Sequence, residues 1–569
     1  MYPDLYLCYN SRSTSLVSSF FLGETSVSET NVDQDIMAFF PLEKPRSSQK
    51  AVIVEIDKAF QSGKRIVILE APVGSGKSAV AMTFARKYKS AHIITPRKSL
   101  QDQYFEDFED DVVLMKGRNA YPCTKDSQRE AYVKVIRAIV KGQVKQPGKD
   151  APNCATAPCR NSEAVWKACV AAKGDCPFSV AIETAQQHHT VVHNIHSFVF
   201  QTNFSERFEK RSLMVIDEAH EIEDVLRGFI TKKFTLMHTI RPEDIPVCET
   251  IDDWCEYFSS PQFLPEVTDL ERQRKETDET FVTNLERYLA TVETLRLNSE
   301  HYGTDFTMRR TPVFGGHRII GNNFEFIPHS LGNAANRYLF AYGDKILLMS
   351  GTIYDKDQYC RYLGINPDDA YFIRVPSTFP LANRPIYMKS EYQADTSHAN
   401  WNDNIEDMCG KIGKIMNIFK DVKGLIHVPS YEAAQEIARG LADERVITHE
   451  KHDFQDRLKY FFDSDEPLVF VSPICQQGVD FKQDRARFQI IVRIPYMNTS
   501  DEFVGKKVQD DFQWYNYKAL VVFGQQIGRV NRSENDFGVT FLMDSRFNKF
   551  LAKNTKKLPR WLKDAIVYK

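Results

Sequence analysis

The stretch Ile66-Val-Ile-Leu-Glu70-Ala-Pro-Val-Gly-Ser-Gly-Lys-Ser78-Ala-Val-Ala-Met-Thr-Phe-Ala-Arg86 decides how this chain is read. A short apolar run gives way to a Gly-rich loop and then to good helix formers, which is the order strand, loop, helix. A bound phosphate needs backbone N–H groups converging at a helix N-terminus and glycines that let the backbone come close. It also needs an ammonium for the terminal phosphates and a hydroxyl for Mg²⁺. Gly74, Ser75, Gly76, Lys77 and Ser78 supply those parts in that order. Ala71 stands where such loops commonly begin with glycine, so the strand-loop-helix setting carries more of the argument than the bare word.

Working outward, Leu213-Met-Val-Ile216 runs into Asp217-Glu-Ala-His220, two adjacent carboxylates at the C-terminal end of a strand. Open α/β sheets bind ligands at that end. Asp217 is expected to hold Mg²⁺ through water, with the Ser78 hydroxyl as a second ligand, and Glu218 to orient and deprotonate an attacking water. His220 is placed in the same catalytic set. Far downstream, Gln525-Gln-Ile-Gly-Arg-Val-Asn-Arg532 puts Arg529 and Arg532 three residues apart on one helical face. Guanidinium groups there can reach a γ-phosphate and stabilise transition-state charge.

Length and composition bound the rest. A chain of 569 residues predicts three or four domains with sizeable cores. With 42% hydrophobic and 26% charged residues it reads as a folded globular protein. A net charge of −3 gives no whole-chain argument for nucleic acid or an anionic membrane, so any basic binding surface must be local. No apolar run approaches the length of a membrane span, and residues 1–36, rich in Ser and Thr, read as a flexible extension without a signal-peptide core. Eleven Cys, an odd number without a secretory signal, argue against a disulfide framework.

Other words fall in order along the chain: Pro45-Arg46-Ser-Ser-Gln49, Thr95-Pro-Arg-Lys98, Met349-Ser-Gly-Thr352, Ser377-Thr-Phe-Pro380, Gln477-Gly-Val-Asp480 and Asp544-Ser-Arg546. Together with the nucleotide motifs they resemble superfamily 2 helicases, specifically the XPD/DinG family of iron-sulfur DNA helicases, over most of residues 39–565. The resemblance implies an α/β fold of two RecA-like P-loop motor domains, the first interrupted by an iron-sulfur cluster domain and a helical arch. It implies that Arg46 and Gln49 contact the base or brace the P-loop. By the same resemblance Gln525, Arg529 and Arg532 sense the γ-phosphate, and Asp480 couples the second motor to nucleotide. Gln477 departs from the Glu common in the family.

The expected segments are 1–36 extension, 37–115, 191–225 and 331–355 first motor, 116–190 cluster insertion, 226–330 helical arch, and 356–569 second motor. Five Cys crowd into residues 123–176, and soft thiolates suit either [4Fe–4S] or Zn²⁺. Their wide spacing fits no compact zinc-finger pattern. Iron-sulfur is favoured through the resemblance, with Cys123, Cys154, Cys159 and Cys176 as ligands. Cys169 is left out because it lies in a helix-like run.

Residues 116–150 hold nine Lys or Arg against three acidic residues, which is the local basic surface the chain needs. Lys134 and Arg137 form a helical stripe suited to a phosphate backbone, and Tyr121 is a candidate for base stacking. Thr95, Arg97 and Lys98, with the loop around Ser430, are expected to grip single-stranded DNA. The resulting reading is a monomeric ATP-dependent DNA helicase using ATP, Mg²⁺ and a [4Fe–4S] cluster. It would move 5′→3′ on single strands and open duplex or forked DNA in repair, replication or recombination. Its setting would be the cytoplasm, at the nucleoid, or a host cytoplasm if viral. The alternatives are a translocase that strips proteins or resolves RNA–DNA hybrids, and a DNA-binding scaffold with a weak motor.

Overall fold

Apolar runs that lack polar alternation become strands buried on both faces, the signature of a parallel sheet covered by helices. The computed structural model describes residues 36–123, 154, 176–236, 245–260, 289–299, 305–315, 318–475, 479, 481, 483–531 and 533–568. The strands, in chain order, begin with β1 (Ile66–Glu70), β2 (Ala91–Thr95), β3 (Val113–Met115), β4 (Thr190–Asn194) and β5 (Arg211–Asp217). Next come β6 (Lys232–Leu236), β7 (Phe306–Gly315) and β8 (Arg318–Pro328), then β9 (Gly343–Ser350) and β10 (Ala370–Arg374).

The first sheet has the order β10-β1-β9-β5-β2-β4-β3, and every pairing in it is parallel. Strand β9 therefore lies between the strand that feeds the P-loop and the strand that ends in Asp217, and all three present their C-terminal ends to one edge. That edge is where chemistry collects in such sheets.

A second parallel sheet is built from β11 (Ile386–Tyr387), β12 (Gly424–His427), β13 (Val446–Ile447), β14 (Val469–Ser472), β15 (Phe488–Ile491), β16 (Val539–Leu542) and β17 (Ile566–Val567). Its order is β13-β14-β12-β15-β16-β11-β17. The helix Phe512–Ile527 is packed between the two sheets, and its Trp514, Leu520 and Phe523 share one core with Ile216, Leu348 and Ile353 of the first. A buried ionic group bolts the same seam: Lys518 reaches Asp224 at 2.7 Å, and Trp514 Nε1 donates to Glu223 at 2.7 Å. Gly524 permits this approach, because a Cβ there would sit 1.7 Å from the Tyr354 hydroxyl.

Two expectations are corrected. The first motor does not end at residue 355, because β10 pairs with β1 along five residues and completes the first sheet. Its edge position leaves Tyr371 and Arg374 exposed and it carries no motif, which hid it in the sequence. Nor is the 226–330 segment helical throughout: β6, β8 and β7 form a three-stranded antiparallel sheet. Phe324 and Phe326 point into its core while Glu325 faces out to Arg309, the two-residue period of a one-sided sheet. This inserted sheet leans on the helix Glu502–Asp510 of the second motor, through Arg309 to Asp501 at 2.6 Å and Lys506 to the Phe306 carbonyl at 2.7 Å.

Candidate nucleotide site and cysteine cluster

The helix Lys77–Tyr88 starts from Gly76 with no side chain capping its first turn. Its N–H groups are therefore available to an anion, helped by the positive end of the helix dipole. Gly74 and Gly76 both adopt φ of 75°, a left-handed conformation that favours glycine. Arg46 donates to the Gly74 carbonyl at 2.7 Å and Gln49 Nε2 to the Gly76 carbonyl at 3.3 Å, so these two side chains brace the loop. Lys77 Nζ rests on the Ala71 carbonyl at 3.2 Å. The Ser75 hydroxyl, buried in the loop, has no hydrogen-bond partner, as befits a cradle shaped for a ligand.

Opposite the loop, Asp217 closes β5 and is held at both oxygens: the Glu218 N–H donates to Oδ1 at 2.9 Å and the Tyr104 hydroxyl to Oδ2 at 3.2 Å. Burial and the neighbouring Glu218 charge raise the Asp217 pKa. Glu218 turns out of the strand in a left-handed conformation with φ of 52°. Burial opposes its ionisation, but the His220 contact and the Lys77 and Arg529 charges prevail and hold it well below the usual carboxylate range. An ionised, oriented carboxylate beside the P-loop is equipped to position a water and accept its proton.

A hydrogen-bonded path then crosses the cleft. His220 Nδ1 lies 3.3 Å from Glu218 Oε2 and 2.9 Å from the Ser350 hydroxyl, which also accepts the Thr352 N–H at 3.1 Å. The Thr352 hydroxyl accepts from Gln525 Nε2 at 2.7 Å, and Gln525 Oε1 accepts from Arg529 at 3.2 Å. Arg529 is anchored further on the Val479 carbonyl at 2.6 Å. Lys77, Glu218, His220, Gln525 and Arg529 thus line one cavity of about 270 Å³ between the two sheets.

Other expected residues fall differently. Arg97 faces the same cavity and pairs with Glu221 at 2.6 Å, so it stands in the nucleotide cleft's wall. Thr95 is fully buried and its hydroxyl donates to the Arg97 carbonyl, a loop support and not a ligand contact. Lys98 is exposed at the start of the next helix. The Ser430 hydroxyl accepts the Ala433 N–H and caps the helix Tyr431–Leu441. Asp480, Arg532, Lys134, Arg137 and Cys159 lie outside the described residues, as does the spare Cys169.

Cys123, Cys154 and Cys176, far apart in sequence, converge with Phe178 and Met115 in one apolar pocket, all three as free thiols. Burial opposes a Cys176 thiolate, yet hydrogen bonds from Ser179, the Phe178 N–H and Cys154 lower its pKa, the environment a thiolate ligand needs. Tyr121 is half-buried beside this pocket: its ring packs 5.6 Å from Phe178 and its hydroxyl accepts the Lys116 N–H.

Sequence reasoning missed Tyr104 and the wiring through Ser350 and Thr352. The signal for Tyr104 was weak but present: Gln101, Tyr104 and Phe108 share the buried face of the helix Lys98–Phe108, and two of them carry polar atoms that need partners.

Comparison with known proteins follows the same outline. Residues 42–238 match the family model described as type III restriction enzyme, res subunit, and residues 413–565 that of the helicase C-terminal domain. The ATP-dependent DNA helicase YoaA of Escherichia coli is 25% identical over 228 residues, 34% of this chain and 36% of that protein. The regulator of telomere elongation helicase 1 homolog of Caenorhabditis briggsae is 32% identical over 131 residues, 19% of this chain and 13% of that protein. These alignments span about a third or less of the relatives' lengths. The YoaA of Haemophilus influenzae aligns over 90% of this chain and 92% of its own at 20% identity. Xpd4 of S. tokodaii superposes with a TM-score of 0.54 at 14% identity, covering 92% of this chain and all of the other, which shows the shared fold. Motifs, paired sheets and matched halves agree: the chain carries regions that match a res-subunit model and a helicase C-terminal domain, and it is similar to XPD/DinG-type superfamily 2 helicases.

Proposed function

We propose that the protein is an ATP-dependent DNA helicase that moves along single-stranded DNA and opens duplex or forked DNA. The observation that carries this reading is the path from Glu218 through His220, Ser350, Thr352 and Gln525 to Arg529. A carboxylate of the first motor is thereby tied to a guanidinium of the second across a nucleotide-sized cleft. Ser78 and Asp217 would hold Mg²⁺, which when bound screens phosphate charge and polarises the transferred phosphoryl group. Glu218 orients a water and takes its proton. Arg529 supplies positive charge from the opposite wall, and the separation of the two sheets follows the occupancy of the site between them. Direction of travel, 5′→3′, is carried over from the family, as are repair, replication or recombination as settings.

The cysteine pocket supports a [4Fe–4S] cluster held by Cys123, Cys154, Cys176 and Cys159. Three free thiols converging in one pocket, with the Cys176 pKa lowered by its hydrogen bonds, are the soft donor set that such a cluster takes. Such a cluster supplies a compact, dry scaffold for the insertion.

A forked duplex with a 5′ single-stranded tail tests the function. Opening that needs ATP and Mg²⁺ and is lost in Lys77→Ala is expected; displacement of bound protein without opening would favour the bare translocase. Protein purified without air should contain iron and acid-labile sulfide and absorb in the blue, and Cys169→Ser should leave iron content unchanged. Colourless protein carrying zinc would overturn the cluster assignment.

A further inference from the structure

The residues that would hold Mg²⁺ enclose a side chain that phosphate binding does not call for. Tyr104 projects from the helix Lys98–Phe108 and is 2% exposed. Its hydroxyl donates to Asp217 Oδ2 at 3.2 Å. A tyrosine used for packing alone would be served as well by phenylalanine, and its hydroxyl would turn to backbone or water. Here it goes to Asp217, the side chain that would hold the metal from the end of β5.

We propose that Tyr104 is a positioning residue for the Mg²⁺ site, fixing the Asp217 carboxylate so that it presents oxygen to the ion together with Ser78. This rests on the Mg-nucleotide reading above. With Oδ2 fixed by Tyr104 and Oδ1 by the Glu218 N–H, the Asp217 carboxylate cannot swing about its χ2 axis. Partners that orient ligands in this way are typically worth about 10–100-fold in metal affinity.

The test is a titration of the full chain with a fluorescent ADP analogue, first in EDTA and then at graded Mg²⁺. Wild type should gain affinity as Mg²⁺ rises. Tyr104→Phe should match wild type in EDTA but need roughly tenfold more Mg²⁺ to reach its midpoint. In an Asp217→Asn background the Tyr104→Phe change should add nothing further. Direct Mn²⁺ binding, followed by electron paramagnetic resonance, should give the same ordering. An unchanged Mg²⁺ midpoint would overturn the proposal, as would equal losses with and without Mg²⁺ or additive losses in the Asp217→Asn background. Wild-type affinity indifferent to Mg²⁺ would instead sink the underlying Mg-nucleotide reading.

Discussion

The two parallel sheets each send a strand into a loop and a helix, and they treat the helix N-terminus in opposite ways. After β1 the loop carries Gly74 and Gly76 in left-handed conformations and leaves the first turn of the helix uncapped. After β12 the loop has no glycine, and the Ser430 side chain caps the next helix from within the chain. The same topology thus gives one anion site and one closed end. What separates them is whether the chain spends a side chain on its own N–H groups or leaves them for a ligand. The second motor contributes to chemistry elsewhere, by Gln525 and Arg529 at the end of the helix between the sheets.

The largest effect that would break this division of labour is on hydrolysis. Glu218→Gln should lower ATP turnover by about 10²–10⁴-fold while leaving nucleotide binding near wild type. Retained turnover would remove the carboxylate from its assigned role. Next is binding. A Cβ at Gly76 would land 2.1 Å from Gln49 Nε2 on a backbone with positive φ, so Gly76→Ala should weaken nucleotide affinity by about 100-fold. Ser430→Ala should leave that affinity unchanged, and an equal loss in both variants would erase the contrast.

Buried histidines sharpen the comparison through pH. Burial and the Arg211 charge lower His92, in β2 of the first sheet, to about 3. Burial and the Arg529 charge lower His427, at the end of β12, to about 4, against the pull of its bond to Gln489. Both are depressed below the unfolded value of 6.5, so the unfolded chain binds the extra protons and stability falls as pH drops below about 6.5. Each should cost about 2 kcal/mol between pH 7 and 5. Below about pH 4 the His427 contribution levels off, while that of His92 continues towards pH 3. Urea titrations across this range check the slope, and a flat profile would contradict it. The smallest effect is Ser430→Ala itself, about 1 kcal/mol of stability lost with its cap and read as a lower melting temperature.

How much could be read without coordinates follows from what each feature demands. The P-loop and the Asp-Glu pair were legible because phosphate and metal chemistry dictates residue types at fixed places after a strand. The bracing by Arg46 and Gln49 was anticipated from family likeness and acquired a geometry in the structure. Strand β10 was not legible, since an edge strand with exposed Tyr371 and Arg374 lacks the continuous apolar run of a buried strand and bears no motif. The inserted sheet was hidden because the resemblance assigned the whole of 226–330 to a helical arch, although Phe324-Glu-Phe326 carried the alternation that betrays it. Tyr104 lay hidden because its meaning depends on Asp217, 113 residues away in sequence and brought within hydrogen-bond reach only by the fold. Thr95 misled for the opposite reason: its place in a strand-end word said nothing about which way its side chain faces.

The central claim is that hydrolysis in the cleft between the two sheets is linked to an unpaired polynucleotide bound by the same chain. Steady-state ATP turnover, measured with and without a single-stranded oligodeoxynucleotide, addresses it most directly. The account predicts that the oligonucleotide accelerates turnover in the wild type and does not restore it in Lys77→Ala. An identical wild-type rate with and without the oligonucleotide would contradict the account.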